Sequence, residues 1–557
     1  MPAVTRGQVF SVLLLALGYR LAAILSFPVV FDEVQVMAFG LARALSAGEP
    51  WSLVFEVPLT VSNGITPLWY WAQALPAWLF GETTKLGLRT LPLLLGLLGV
   101  WLCSRAGERL AGRRGALLAG VLYALQSPLV VVNARGEFAE SLLAPLALLL
   151  LHDLARRPGG GPIPMRAALW PALALFTYFG KGLVLWGSYT FFLIALFWLD
   201  RRARAANSMS LGRTTALIFA PLVPSLAWLL AAQRALFRGG ARIVTDLGPV
   251  ASVADSVRLL TLDYGTGPTR FMAAGWKEAL YVYTDFRVWP SLALLAVPCA
   301  VALFRLGWRL AQSLAEKRGE EIENALLPLC LVLPPLALLL AKGALDVRFH
   351  LLYLAVLLPH VAQVLDDWAG LLEASRFLPF LAWGLVESGY VAWSLGPSWA
   401  LGACLAASCV AAVAGLVRSG RLHARTAVAA LVVIVLSSSN ALAGPLVWGR
   451  IWAWEPSPVA GDTPRPVADF PNADIQLAER FAAREGPAKA RVFLLRALDR
   501  HPDDRATVHS ASDHLLRLGH EEAGLLIPRL SEYVRRHPED EEARRTLARA
   551  LDSVRGR

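Results

Sequence analysis

Charge is scarce in this chain. Asp, Glu, Lys and Arg make up 17% of 557 residues, where a soluble protein carries about 25%. Cysteine is also scarce. The five (Cys103, Cys299, Cys330, Cys404 and Cys409) lie in or beside apolar stretches and form no CxxC pair, which argues against a disulfide framework and a zinc site. Alternating strands of about ten residues are missing, and with them the signature of a membrane β-barrel. What is present is apolar: 56% hydrophobic residues and a mean hydropathy of +0.50. Apolar blocks of about twenty residues alternate with short basic clusters, and such a block spans roughly 30 Å as a helix, the thickness of a bilayer core. The sequence therefore predicts an all-α polytopic membrane protein. A net charge of +11 would suggest a nucleic-acid partner in a soluble protein. Here most arginines fall in loops between apolar blocks, where they set membrane orientation, so no nucleic acid is expected.

Thirteen spans are expected, at 9–28, 88–104, 116–133, 141–155, 167–179, 183–199, 214–232, 288–304, 325–341, 349–365, 377–395, 399–416 and 426–447. The first is too long for a signal-peptide core and lacks a small-x-small cleavage site, so it reads as a retained helix. The arginine clusters around 105–114, 156–166, 201–213, 305–318 and 418–425 all fall on the cytoplasmic side if the first span starts there. The Trp- and Pro-rich stretch "TPLWYWAQALPAWLFG" (66–81) is too short to cross and reads as an interfacial helix. The opposite, extracytoplasmic side then receives Asp32 and Glu33, "NARGEFAES" (133–141), Lys181, the 233–287 loop and "AKGALDVRFH" (341–350). The expected location is the inner (cytoplasmic) membrane or an equivalent membrane.

Three regions follow: a membrane domain at 1–447, a Pro-rich linker at 448–473 and a charged tail at 474–557. Within the tail, "RALDRHPDDRAT" (496–507) and "EYVRRHPEDEEA" (532–543) align with a shift of 36 residues. Amphipathic helices punctuated by a His-Pro-acid turn at this period resemble tetratricopeptide-type hairpins, a scaffold that binds protein partners.

The chemistry-bearing residues come in order. An apolar helix stops at the acid pair Asp32-Glu33. "TPLWYWAQALPAWLFG…LRTLPLLLGLLGV" follows, then "AGRRGALLAGVLYALQSPLVVVNARGEFAESLL", then "FTYFGKGLVLW". This run resembles the GT-C superfamily of polyprenyl-phosphate-dependent glycosyltransferases, in the branch holding protein O-mannosyltransferases and lipid A aminoarabinose transferase. The resemblance covers about residues 10–200, is looser through 360, and rests on order and spacing rather than one motif. It implies an extracytoplasmic site, a sugar on a polyprenyl phosphate as donor, and inversion in a single displacement.

On that resemblance Asp32 is the general base and Glu33 its support or the acceptor's guide. Lys181, in "GKG", and Arg348, in "DVRFHLLYL" with Lys342 before it, hold the donor phosphate, the arginine by its two-pronged geometry. Arg135, Glu137 and Glu140 supply a further acid and cation near the acceptor. A divalent metal would suit carboxylates such as Asp32 and Glu140, but the cofactor stays open. Arg20, inside the first span, calls for a polar partner or a route to the interface. Thr66 stands where many relatives carry His or Lys before the proline; Asn63 or Thr66 would then offer only a hydrogen bond.

Each residue has a plainer alternative: a solvated loop for Asp32-Glu33, a charged helix end for 135–140, a hairpin for Lys181 and lipid anchoring for Arg348. "GTGP" (265–268) lacks the flanking strand and helix of a phosphate loop. Glu387 reads as an interhelical hydrogen bond, and the tail histidines as turn and surface residues. The competing function is a catalytically inactive, membrane-anchored scaffold acting through its tail. A transporter would need paired broken helices, and none is evident.

Overall fold

A computed structural model describes residues 6–26, 33–60, 65–136, 139–155, 163–203, 210–238, 243–245, 248–252, 255, 290–316, 319–341, 351–371 and 473–555. Asp32, Asn63, Glu137, Lys342, Arg348, Glu387, the "GTGP" stretch, the last three expected spans and nearly all of the Pro-rich linker lie outside these residues.

In chain order the helices are α1 (Arg6–Ser26), α2 (Phe39–Leu45), α3 (Glu56–Thr60), α4 (Pro67–Phe80), α5 (Lys85–Leu125), α6 (Ser127–Val132), α7 (Glu140–Ala155), α8 (Leu169–Leu175), α9 (Phe179–Ala203), α10 (Leu211–Phe219), α11 (Leu222–Leu236), α12 (Pro290–Glu316), α13 (Gly319–Ala341) and α14 (Leu351–Leu371). The tail adds α15 (Ala473–Glu485), α16 (Pro487–Arg500), α17 (Arg505–Leu518), α18 (His520–Arg536) and α19 (Glu541–Arg555). A small antiparallel ribbon, β1 (Ile243–Thr245) with β2 (Gly248–Val250), accompanies this mostly helical structure.

The chain divides into two compact units. One comprises residues 1–27, 58–69 and 89–464, and the other 28–57, 70–88 and 465–557.

The first unit is a helix bundle. Its α5 breaks at Ala111 and Gly112, where the glycine takes φ 62°. This is the turn that the basic cluster between the second and third expected spans calls for. The arms approach so closely that a Cβ on Gly107 would lie 2.3 Å from the Gly115 carbonyl oxygen. α7 packs against α14, α9 against α13, and α12, α13 and α14 against one another, around a core that includes Leu143, Leu146, Leu150, Leu185, Phe192 and Leu357.

By length and composition, two described helical stretches, 85–125 and 179–199, can cross a membrane unaided. α10 and α11, bent by 45°, make a third if counted together. The 167–179 span is instead a 3-10 turn followed by the seven-residue α8. α9, α11 and α12 expose Phe191, Ile194, Trp198, Val223, Leu230, Phe304 and Trp308. Contiguous apolar faces of this kind are what lipid would cover. α4 is 14 residues long, too short for a bilayer core at 1.5 Å per residue, and it exposes Trp71, Leu75, Trp78 and Leu79 along one face.

α1 is fastened to the rest of this unit by a buried arginine. Pro128 has no N–H, so the Ala124 carbonyl four residues before it loses its helical donor. Arg20 replaces it, with Nη1 donating to that oxygen at 3.0 Å and Nε to Asn133 Oδ1 at 3.2 Å. Of the two expectations for Arg20, a polar partner and a route to the interface, the structure gives the partner. Arg20 is fully buried and caps a broken helix. Gly96 makes the room, since a Cβ there would meet Arg20 Nε at 2.5 Å and Asn133 Oδ1 at 2.6 Å.

The second unit brings the start of the chain to its end. Phe39 of α2 packs on Phe481 of α15 with ring centroids 4.7 Å apart, and Phe481 stacks on Phe493 of α16 at 4.5 Å. Ion pairs ring this contact. Lys489 binds Glu49, which Arg43 also holds at 2.7 Å, and Arg496 bridges Glu82 and Asp474, the latter at 2.7 Å. Arg500 donates to Thr83 Oγ1 at 2.6 Å. The internal repeat also has a structural counterpart. His501 and His537 end α16 and α18, and Asp504 and Asp540 cap α17 and α19 by accepting from Thr507 N at 3.0 Å and Ala543 N at 3.1 Å.

Two expectations follow. Arg20→Leu leaves the buried Ala124 carbonyl and Asn133 short of a donor, and should lower the stability of the detergent-solubilised protein by about 1–3 kcal/mol in thermal unfolding. The second concerns pH. Lys489 and Arg43 hold Glu49 below its ordinary value of 4.5. Burial pushes Glu82 up, but Arg496 and Ser46 overcome it and leave its pKa lowered as well. A depressed carboxylate stabilises above its unfolded pKa and loses that contribution as pH falls through its folded pKa. Protection of the tail from limited proteolysis should hold from neutral pH to near 5 and fall below 4.5, and Arg496→Ala should weaken it already at neutral pH.

Candidate functional site

Three segments far apart in sequence meet in the first unit: 65–69 at the start of α4, 133–141 between α6 and α7, and 177–182 at the start of α9. Two joints are backbone pairs, and the third is a side chain on a backbone carbonyl. Thr66 N donates to the Thr177 carbonyl at 2.9 Å, Ile65 bridges Tyr178 in antiparallel fashion, and Trp69 Nε1 donates to the Gly136 carbonyl at 3.1 Å. Ser141 Oγ closes the 133–141 turn on the Val132 carbonyl at 3.1 Å.

The charged side chains gather at this junction. Glu140 is the first residue of α7, where the helix dipole favours an anion. It forms an ion pair with Lys181, and both side chains are largely buried, at 4% and 13% exposure. The Lys181 ammonium also sits 4.6 Å from the centre of the Tyr178 ring, a favourable cation–π placement. Arg135 is buried on the same turn. Lys181 and Arg135 thus lie on two of the three segments that meet here.

The glycines of "GKG" are expected to let a phosphate approach. The structure gives Gly182 a different reason: a Cβ there would meet the Ala174 carbonyl oxygen and the Leu175 nitrogen, each at 2.5 Å. It is small because α8 and α9 touch backbone to backbone.

Thr66 is 1% exposed, and its Oγ1 has no hydrogen-bond partner among the described residues. A buried hydroxyl left unpaired costs free energy unless something visits it, and this one lies at the junction itself. Arg20 reaches the same region through Asn133, three residues after α6 passes Val130. Of the sequence-named residues, Thr66, Arg135, Glu140 and Lys181 belong to this junction, and Arg20 buttresses it. Glu33 belongs to the second unit, fully buried in a π-helical turn, Glu33–Ala38, that packs against α15. No group of three His, Cys, Asp or Glu able to hold a metal occurs among the described residues.

Sequence reasoning missed Tyr178 as the partner of Lys181 and Asn133 as the partner of Arg20. The first is detectable as an aromatic three residues before the lysine, at the start of a helix. The second follows from Pro128, four residues after the carbonyl it orphans.

Neither a protein-family model nor a curated protein matches this sequence. Among solved structures, ArnT from Cupriavidus metallidurans in the apo state superposes with a TM-score of 0.52 at 13% identity, over 80% of this chain and 78% of that one. The same protein bound to undecaprenyl phosphate gives 0.51 at 15% identity, over 80% and 79%. An oligosaccharyltransferase from Archaeoglobus fulgidus matches more distantly, with a TM-score of 0.40 at 12% identity over 81% and 58%. The fold is thus shared with the ArnT structures along most of both chains, as the GT-C resemblance implies.

Lys181→Met should strand Glu140 as an uncompensated buried charge and cost about 3–5 kcal/mol in thermal stability. Adding Glu140→Gln should recover a large part of that loss, because the double variant removes both charges.

Proposed function

We propose that this chain is a membrane glycosyltransferase that takes a sugar from a polyprenyl-phosphate carrier and gives it to an acceptor on the extracytoplasmic side. The observation that carries the reading is the fold shared with ArnT, a lipid A aminoarabinose transferase of which one structure holds undecaprenyl phosphate. The gathering of Lys181, Arg135, Glu140 and Thr66 at one junction supports it.

In this reading Asp32 removes the acceptor's proton as its oxygen or nitrogen attacks C1 of the sugar, with Glu33 in support. The C1–O bond to phosphate breaks, and the electron pair leaves with the polyprenyl phosphate, so its phosphate gains a negative charge. Lys181, Arg348 and Lys342 hold that phosphate, and a cation already in place there stabilises the charge as it develops. Glu140 holds the Lys181 ammonium in place, and a phosphate beside the lysine would share it. Thr66 Oγ1 offers the hydrogen bond that a His or Lys gives in relatives, and Arg135 and Glu137 line the acceptor side. One-step attack inverts the configuration at C1.

Membranes containing the full chain, supplied with polyprenyl-phosphate sugars, should release polyprenyl phosphate. Asp32→Asn should slow this by about 10²–10⁴-fold with donor binding retained. Lys181→Gln should chiefly weaken donor binding. Sugar transfer by Asp32→Asn equal to that of the natural chain would remove the base assignment, and no release from the natural chain with any such donor would favour the inactive scaffold.

A further inference from the structure

The first unit contains a second candidate site, at the other end of α7. Glu140 opens that helix, while His152 and Ala155 near its close line a cavity of about 730 Å³. Twelve residues of helix separate the two, about 18 Å at 1.5 Å per residue. α5, α9, α12, α13 and α14 complete the walls.

The lining is two-sided. Leu110, Leu151, Phe192 and Leu306 make it greasy, while Arg109, Arg309 and His360 bring donors. His360 is 6% exposed, and its Nε2 has no hydrogen-bond partner among the described residues. The Arg309 guanidinium is close enough to act electrostatically on that ring. The cavity also carries Glu321 and Glu323 on α13, and Glu321 accepts from the Ser313 hydroxyl at 3.3 Å. Arg109 is anchored by donating to the His152 carbonyl at 3.2 Å.

An imidazole whose Nε2 has no partner among the described residues, buried beside a guanidinium, suits an acceptor-rich anion. Phosphate offers several oxygens for both. The apolar wall suits a hydrocarbon chain attached to it. This end of the bundle also carries the Arg105–Arg114 cluster in the α5 turn, the kind of basic loop that collects at a membrane surface. We propose that the cavity binds the phosphate head group of a membrane phospholipid, held by Arg309 and His360 with Arg109 beside them and with its chain against Leu110, Leu151 and Phe192. This site is separate from the donor junction and independent of the transferase reading.

The full-length chain, purified in detergent and stripped of lipid, is titrated with dioctanoyl phosphatidylglycerol, with dioctanoylglycerol and with inorganic phosphate, and thermal unfolding is recorded. The phospholipid should raise Tm by several degrees in a saturable way. Arg309→Gln, at an exposed position that leaves packing intact, should weaken its apparent affinity about tenfold, the loss of one charge-assisted contact. His360→Leu should do the same, and if that variant fails to fold, Arg309→Gln decides alone. An equal effect of dioctanoylglycerol, or an unchanged affinity in Arg309→Gln, overturns the proposal. Stabilisation by inorganic phosphate as strong as by the phospholipid would overturn the lipid assignment and leave a free anion as the occupant.

Discussion

Much of the first unit depends on one proline and the arginine that answers it. Pro128 ends α5 and frees a carbonyl in the middle of an apolar bundle, where an unpaired acceptor is expensive. Arg20 crosses from α1 to fill the gap and binds Asn133 on the way. That fixes where α6 ends and hence where the turn bearing Arg135 and Glu140 begins. Gly96 is the third part of the device, since any side chain there would occupy the space of the guanidinium. The helix break looks like a defect when read locally, and it is what aims the next turn.

The junction built on that turn is pre-charged. Lys181 and Glu140 neutralise each other in a largely buried setting, and Arg135 adds a cation nearby. Such an arrangement holds an ammonium in position for an anion. Two backbone pairs and the Trp69 indole tie the segments together. The charges therefore sit on a frame whose geometry does not depend on them.

The helical class of the chain was legible in its composition, and the α5 hairpin in the basic cluster at its turn. The sequence grouped 133–141 with Lys181 but not with Thr66, which joins them through its backbone bond to Thr177. Spacing could not reveal why each residue is there. Gly182 serves helix contact rather than ligand approach, and Arg20 caps a carbonyl rather than reaching for water. The tail's repeat was readable because a His-Pro-acid turn recurs at a fixed period. Its partner within the chain was not, because nothing in the sequence around Phe39, Glu49 and Glu82 singles them out until Phe481, Lys489 and Arg496 meet them. Docking between segments more than four hundred residues apart leaves no local trace in a single sequence.

That docking also imposes an order in time. The segment that follows Asp32 is made more than four hundred residues before the aromatic and ionic partners that pack against it. It must wait, half-built, until residues 481–496 have left the ribosome. A product stopped before residue 473 would carry the described helices of the first unit and still lack the clasp.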